Sequence, residues 1–389
     1  MDSFRSKENL IQFETLFGKT NSPIRHFQAP ARINIIGEHV DYLGGIVLPA
    51  AIDFSVHILI RVNPSGQYRF YSVTYKDFIE VKTPFTNQEN SPWVDYILGV
   101  IVEINKLGYE IPGFDLFVDG NIPQGSGLSS SAAFEVAVGF GLSQLFELKI
   151  PKQKIAIIGK DAENNFVGTK CGIMDQFIIA MGQKNKCISL NTDSLEFNYH
   201  QFDLEDYEFY LINSNVKHNL KDSAYNKRRQ ECESSLSKIQ KFHPKFTTLY
   251  SVDLTEKQLE DCGLDMTEMK RTKYVLSEKI RTSVVIKALT TNDFTCVGNK
   301  LFETHWSLSQ EFEVSCEEVD YLVEYLKKLG VTGARMIGGG FGGCVLVLDK
   351  FKNFSNTSSE IKKSYQQKFG LQTNFYKFQI SDGVKEVTI

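Results

Sequence analysis

Phe114-Asp-Leu-Phe-Val-Asp-Gly120, continuing as Asn121-Ile-Pro-Gln-Gly-Ser-Gly-Leu-Ser-Ser-Ser-Ala-Ala133, is the stretch on which the reading of the fold turns. Its first seven residues read as a strand. Apolar residues then recur at Phe134, Val138, Leu142 and Leu145, the spacing of a helix that buries one face. Strand, glycine-rich loop and helix in that order predict a mixed α and β fold with a helix N-terminus facing a ligand. Gly125 and Gly127 leave room for a ligand to approach the backbone, and Ser129, Ser130 and Ser131 fall where unpaired amides open the helix. The partial positive charge of that helix end suits a polyphosphate, and one serine hydroxyl could also bind the magnesium that accompanies ATP. A serine cap after a tight turn is the plainer reading of any single Ser/Gly cluster. The length and order of Pro-x-Gly-x-Gly-Leu-Ser-Ser-Ser-Ala-Ala make it the weaker one here. No Gly-Lys-Ser/Thr closes the loop, as in a P-loop, and Ser130 occupies the third glycine position of a dinucleotide fingerprint.

A second polar cluster lies upstream, in Arg32-Ile-Asn-Ile-Ile-Gly-Glu-His-Val-Asp41. Ile33, Ile35 and Ile36 read as a strand entering the core, and Gly37 permits a sharp bend before Glu38, His39 and Asp41. With Arg32 these side chains offer donors and acceptors suited to a sugar or polyol. Solvated loop residues are the bland alternative. A metal site is disfavoured, because adjacent Glu38 and His39 point opposite ways in extended chain and the helical His-Glu-x-x-His spacing is missing.

Composition sets the wider frame. The 389 residues suit roughly two domains, and 42% hydrophobic residues, 23% charged residues and a net charge of -4 describe an ordinary globular protein. Lysine and arginine are dispersed apart from Lys227-Arg228-Arg229, which is too short a run to imply nucleic acid. Seven scattered cysteines without a Cys-x-x-Cys pair favour neither a disulfide framework nor zinc, and fit a reducing cytosol. The opening Met1 to Leu10 lacks the apolar core of a signal peptide, and the longest apolar runs, Tyr96 to Val102 and Cys344 to Leu348, are too short to span a bilayer. A soluble cytoplasmic protein, not bound to membrane, is expected. Asn353-Phe-Ser and Asn356-Thr-Ser match the glycosylation pattern by chance within an expected polar loop.

Strand-like alternation dominates the first third, as in Val56 to Val62, and helical spacing dominates from about residue 220 to 330. Leu276, Ile280, Val284 and Ala288 predict a core-facing helical stripe, with Glu278, Lys279 and Arg281 as charged neighbours. Asn191-Thr-Asp193 and the acidic stretch Asp203 to Asp206 interrupt the apolar pattern and suggest a domain boundary near residues 195 to 205.

Together these motifs resemble the galactokinases of the GHMP small-molecule kinase superfamily. The family's first signature, Gly-Arg-x-Asn-Leu-Ile-Gly-Glu-His-Thr-Asp-Tyr, is similar to Ala31 to Tyr42, which Gly44-Gly45-Ile-Val-Leu-Pro-Ala follows. The phosphate loop is the second signature. The third resembles Gly333-Ala-Arg-Met-Ile-Gly-Gly-Gly-Phe-Gly-Gly-Cys344. Cys171-Gly-Ile-Met-Asp-Gln-Phe177, Asn213-Ser-Asn-Val-Lys-His218 and Ser223-Ala-Tyr-Asn-Lys-Arg-Arg-Gln230 lie between, each also similar to galactokinases. Ala31 replaces the usual Gly, Val40 the usual Thr, and Ile337 a Thr whose hydroxyl would lie beside the phosphate site.

The resemblance implies a two-domain α+β GHMP kinase fold, domains at 1–200 and 201–389, with the active site in the interdomain cleft. Arg32, Ser130 and Gly339 should share that cleft. It also implies ATP-dependent phosphorylation of D-galactose at O1. Asp175 would lie near the reacting hydroxyl with Arg32 beside it, either as general base or as a positioning group. A helix-capping carboxylate is the plain alternative for Asp175. Glu38, His39, Asp41, Gly172 and Tyr225 look like the remaining sugar contacts. ATP would meet Pro123, Gln124, Gly125, Ser126, Gly127, Leu128, Ser129, Ser130, Ser131, Ala132 and Ala133. Ser130 and Glu163 are the magnesium ligands expected, with surface helix as the competing place for Glu163. Trp93 and Tyr96 could flank adenine or belong to the core. A monomer is expected. Kinases for N-acetylgalactosamine or arabinose, and non-catalytic sugar and ATP sensors, are the alternatives. Sensors of that kind lack the Ser-Ala pair that Ser131 and Ala132 supply here.

Overall fold

The computed structural model describes residues 6–123, 125–216 and 221–389. Gln124 of the phosphate loop, and Lys217 and His218 of the motif that begins at Asn213, lie outside them. So do Met1 to Arg5 of the opening segment.

The alternating pattern in the first third forms a six-stranded sheet ordered Lys385–Val387, Arg25–Asn34, Pro49–Val62, Phe114–Gly120, Tyr68–Ser72, Asp77–Val81. Because strand side chains alternate faces, Ile58, Ile60 and Leu116 join the main core while Leu59 and Phe117 pack against Phe13 and Phe17 of helix Ser6–Phe17. Helix Ser130–Leu145, which follows the phosphate loop, lies on the main-core face with Val138 and Leu142 fully buried. Its approach is close: a methyl added at Gly141 would sit 3.0 Å from Ile58. Helices Trp93–Asn105, Lys152–Ala162 and Met174–Met181 complete that layer.

Between Gln201 and Tyr207 the chain leaves a small sheet, Ile46–Val47, Lys186–Asn191 and Phe197–Gln201, for a four-stranded antiparallel one. The latter is ordered Gly333–Met336, Cys344–Lys350, Tyr207–Asn213, Asn374–Lys377. Long helices, among them Lys221–Phe242, Met266–Leu289 and Phe294–Gln310, build the second half around it. The two α+β halves meet at a cleft. A division at residue 200/201 does not hold to the end of the chain, because Lys385–Val387 returns to pair with Arg25–Asn34 in the first sheet.

Two local expectations are corrected. In helix Met266–Leu289 the buried stripe runs through Tyr274, Val275, Glu278, Arg281, Thr282 and Val285, whereas Ile280 is 67% exposed. The inward face therefore carries a buried ion pair, which apolar periodicity cannot register. Asn353 and Asn356 stand in a 3-10 turn and in helix Phe354–Phe369, not in a loop, the helix being fixed by Ile361 and Tyr365 buried beneath it.

Candidate active site

The sugar-type cluster follows strand Arg25–Asn34, which ends three residues before Gly37 turns the chain at a φ of +89°. A side chain at Gly37 would meet the Ile46 carbonyl at 2.6 Å, so the turn needs glycine. Arg32 is buried at the strand's end. Its Nε and Nη2 donate to the two oxygens of Asp175 at 2.7 and 2.9 Å, and its Nη1 donates to the Gly127 carbonyl at 2.6 Å. One guanidinium thus ties the carboxylate to the phosphate loop. Burial pulls the proton affinity of Arg32 down, but the charge and hydrogen bonds of Asp175 more than offset it, so the pKa is raised.

Asp175 sits in the first turn of helix Met174–Met181, placed by the apolar residues Phe177, Ile178 and Ile179 behind it. Ser129 also donates to it. Ser129 holds the position before helix Ser130–Leu145 but caps no amide; its backbone is left-handed, at a φ of +62°, which turns the hydroxyl toward Asp175. The competing reading of a serine cap does not hold at Ser129, whose hydroxyl bonds the acid instead.

Glu38 is buried, with Asn34 Nδ2 donating to it at 2.6 Å, the Gly338 amide at 2.6 Å and Arg335 at 3.1 Å. His39 adopts a φ of +55° and pairs with the Tyr42 hydroxyl at 3.0 Å, its ring between those of Tyr225 and Phe312. Burial in the cleft, then the nearby charges of Asp175 and Glu38, pushes the pKa of Asp41 up to about 7. Gly172 lies against Asp41 so closely that any β-carbon would overlap the carboxylate.

A π-helical turn, Glu163–Val167, ends helix Lys152–Ala162 and carries Glu163 to the cleft wall. The competing surface-helix placement does not apply, since Glu163 is only 7% exposed. Gln176 donates to it at 2.9 Å, Ser131 at 3.3 Å and the Cys171 thiol at 3.4 Å. Burial raises its pKa to about 7. Gln176 also donates at 3.0 Å to Glu135, a carboxyl held well above the usual range by burial and then by Glu163.

A cavity of about 510 Å³ joins these parts. Arg32, Glu38, His39, Asp41, Gly172, Asp175 and Tyr225 line it together with Pro123, Gly125 to Ser131 and Glu163. Gly338 and Gly339 add a wall from the second half, so Arg32, Ser130 and Gly339 share one cavity. Ala132 and Ala133 do not line it, because the helix turns them into the core. Ser126 turns inward to donate to the Pro123 carbonyl at 2.6 Å. Trp93 and Tyr96 lie outside the cavity wall: Trp93 donates to Asp77 at 3.0 Å and stacks near Tyr75, and Tyr96 packs on the core. Ile337 is buried in the apolar cluster that holds Leu128. Ser129 as a partner of Asp175, and the buried Glu135 and Gln176, were not legible in sequence. Only the position of Gln176 beside Asp175 hinted at them.

The fold and this loop site define a GHMP kinase. Residues 95–183 match the GHMP kinases N terminal domain and residues 285–366 the GHMP kinases C terminal domain. Residues 11–62 match the galactokinase galactose-binding signature. A galactokinase of Thermosipho africanus is 44% identical over 361 residues, 92% of this chain and 99% of its own. One of Clostridium beijerinckii is 38% identical over 383 residues, 96% and 97% of the two chains. The crystal structure of Lactococcus lactis galactokinase complexed with galactose superimposes with a TM-score of 0.94 at 34% identity, covering 99% of this chain and 100% of that one. Methanococcus jannaschii mevalonate kinase shares the fold, with a TM-score of 0.65 at 16% identity over 94% of this chain and 100% of that one. The chain belongs to the galactokinase family.

Proposed function

We propose that this chain transfers the γ-phosphoryl group of ATP to O1 of D-galactose, with Asp175 directing the attacking hydroxyl. The observation that carries the reading is the bidentate Arg32–Asp175 pair, at 2.7 and 2.9 Å, set between the sugar-type cluster and the phosphate loop. The O1 hydroxyl donates to Asp175 and is aimed along the line of displacement. The bond from O1 to phosphorus forms as the bond to the ADP oxygen breaks, and the O1 proton passes to Asp175. Phosphoryl transfer is loose enough that orientation and charge supply most of the acceleration. Glu38, Asp41 and His39 pair with sugar hydroxyls, and a site built for one epimer rejects another that leaves these buried groups unpaired. Tyr225 walls the same pocket.

ATP phosphates lie over Gly125, Gly127 and the N-terminus of helix Ser130–Leu145, where amides and hydroxyls converge. The donor set also fits magnesium: Ser130, Ser131 and Glu163 offer hard oxygens on one wall, and the Ser131–Glu163 contact of 3.3 Å is long. Ser130 and Glu163 would hold the ion, which supplies charge neutralisation for the phosphates. No group of three or more His, Cys, Asp or Glu able to hold a metal occurs among the described residues. Two domains, 1–200 and 201–389 apart from the terminal strand that returns to the first sheet, supply both walls of the cleft within one chain, so a monomer suffices. None of the seven cysteines is in a disulfide, which suits a reducing cytoplasm, and no described helix is long and apolar enough to cross a membrane.

ADP release measured with magnesium ATP and a panel of galactose, N-acetylgalactosamine, arabinose and glucose tests the reading. Galactose should be preferred. No ADP release with any sugar would favour a sensor, and preference for another sugar would reassign the substrate.

A further inference from the structure

The helix stripe that apolar periodicity misreads has a use. Glu278 is fully buried, yet its Oε1 accepts from the amides of Gly37 at 2.8 Å and Glu38 at 3.3 Å, both in the sugar loop. Its Oε2 accepts from Arg281 at 2.8 Å and Thr304 at 2.9 Å. One turn earlier Tyr274 donates to the Glu38 carbonyl at 2.7 Å. From the third glycine-rich segment the fully buried Arg335 donates to the carbonyls of Asn34 and of Ile35, the latter at 3.0 Å, and to the Glu38 carboxylate. Three side chains of the second half therefore grip the backbone of residues 34–38, and neither Tyr274 nor Glu278 lines the cavity.

Packing alone does not require these groups. A buried ion pair is commonly no more stabilising than apolar residues of the same volume, and helix Met266–Leu289 could present leucine at these positions. What an apolar face could not do is pair the two amides at the Gly37 turn, which burial shuts off from water. Nor could it fix where Glu38 and His39 point. We propose that Tyr274 and Glu278 are positioning residues for sugar recognition: they set the sugar loop from the second half, so that sugar affinity, but not nucleotide affinity, depends on them. The proposal rests on the reading of this cavity as a galactose site. Phe312 extends the same support, since its ring lies 4.5 Å from that of Tyr274 and 5.1 Å from that of His39.

Tyr274→Phe removes the hydroxyl and keeps the ring against Phe312. Glu278→Gln removes the charge that strengthens the bonds from the Gly37 and Glu38 amides and places an amide donor against Arg281. Both should raise the KM for galactose about five- to tenfold, the worth of one or two hydrogen bonds, while the KM for ATP stays within about twofold. Hydrogen exchange of the full-length variants, followed by mass spectrometry, should be faster in residues 34–40 and unchanged in residues 125–131. Equal rises in both KM values, or parental exchange in residues 34–40, would overturn the proposal even if Tyr274→Phe alone folds. Inactivity of the parent on galactose would overturn the substrate reading instead, and the exchange measurement would still decide whether the loop is set from the second half.

Discussion

Asp175 takes donors from both Arg32 nitrogens and from Ser129, so its two oxygens act only as acceptors in the free site. Asp175→Asn turns one of them into an NH₂ group facing an Arg32 N–H that cannot reverse, although the Ser129 hydroxyl can. Turnover should fall by at least about a hundredfold, while galactose affinity by calorimetry changes by no more than about tenfold, roughly 1.4 kcal/mol. Near-parental turnover at saturating substrates would remove Asp175 from the reaction, and a matching collapse of affinity would make it a binding group. Asp41 carries a second, pH-dependent consequence. Its pKa rises from 3.8 to about 7 on folding, chiefly through burial, so the folded protein keeps a proton that the unfolded chain releases. The stability this contributes is complete below about pH 4 and is lost as pH rises through about 7. Asp41→Asn cannot lose it, so thermal melting of the sugar-free variant should gain on the parent between pH 5 and pH 8. Parallel melting curves for the two proteins would contradict the assignment. Arg32 and Asp175 were legible because each sits in a contiguous motif. Ser129 was not, because its partner lies 46 residues away and only a left-handed backbone turns the hydroxyl toward it.

The phosphate loop was legible as an element, since glycine, serine and the following apolar stripe each have a local physical meaning. Of the two grounds on which a side chain at Gly127 is resisted, space for a phosphate and a positive φ, the backbone supplies the second. A β-carbon at Gly127 meets only the Ile337 carbonyl at 3.6 Å and the Gly338 Cα at 3.8 Å, which is ordinary contact, but the φ of +72° is one that a β-branched residue avoids. Gly127→Val should therefore shift the loop backbone, and with it the carbonyl that Arg32 holds. ATP affinity should fall at least about tenfold with a stability loss of about 1–3 kcal/mol, whereas Gly127→Ala should show a smaller part of both. Unchanged nucleotide affinity in calorimetry would mean that the loop is only a helix start. Helix Met266–Leu289 was legible as a helix but not in its rotation. Residues four apart suggested Ile280 inward, while tertiary partners, the Gly37 amide among them, turn Glu278 inward instead. Local rules fail there because a buried carboxylate is used for positioning, and such failures concentrate beside working sites.

At the scale of the molecule, the succession of strand-rich and helix-rich segments pointed to two α+β halves, and the change of sheet between Gln201 and Tyr207 lies close to the composition break. The return of the chain end was not legible. Lys385–Val387 is three residues long, too short for a periodic signal, and its place depends on a strand more than 350 residues earlier. Those residues cover the edge of Arg25–Asn34, the strand that carries Arg32 near its end. Arg25 donates to both oxygens of Glu386 at 2.8 and 2.7 Å, Lys152 donates to the Val384 carbonyl at 2.7 Å, and the Val384 amide donates to the Ile179 carbonyl at 2.8 Å. Ending the chain after Ser381 would remove these ties and leave backbone groups of Arg25–Asn34 open for pairing with another molecule. The truncated protein should lose about 2–4 kcal/mol of stability, and light scattering should show association on mild heating that the full chain resists. Below its melting point it should keep KM values for galactose and ATP within about twofold, because no residue after Gly339 lines the cavity. Glu386→Ala, which breaks only the ion pair, should cost less than about 1 kcal/mol, and Arg25→Ala, which also loses the bond to the Gln144 carbonyl and the contact with the Phe27 ring, somewhat more. If the two single variants together match the truncation, the ion pair and not the covered strand edge accounts for the loss. If the truncation melts with the parent, the terminal strand closes the sheet without stabilising it.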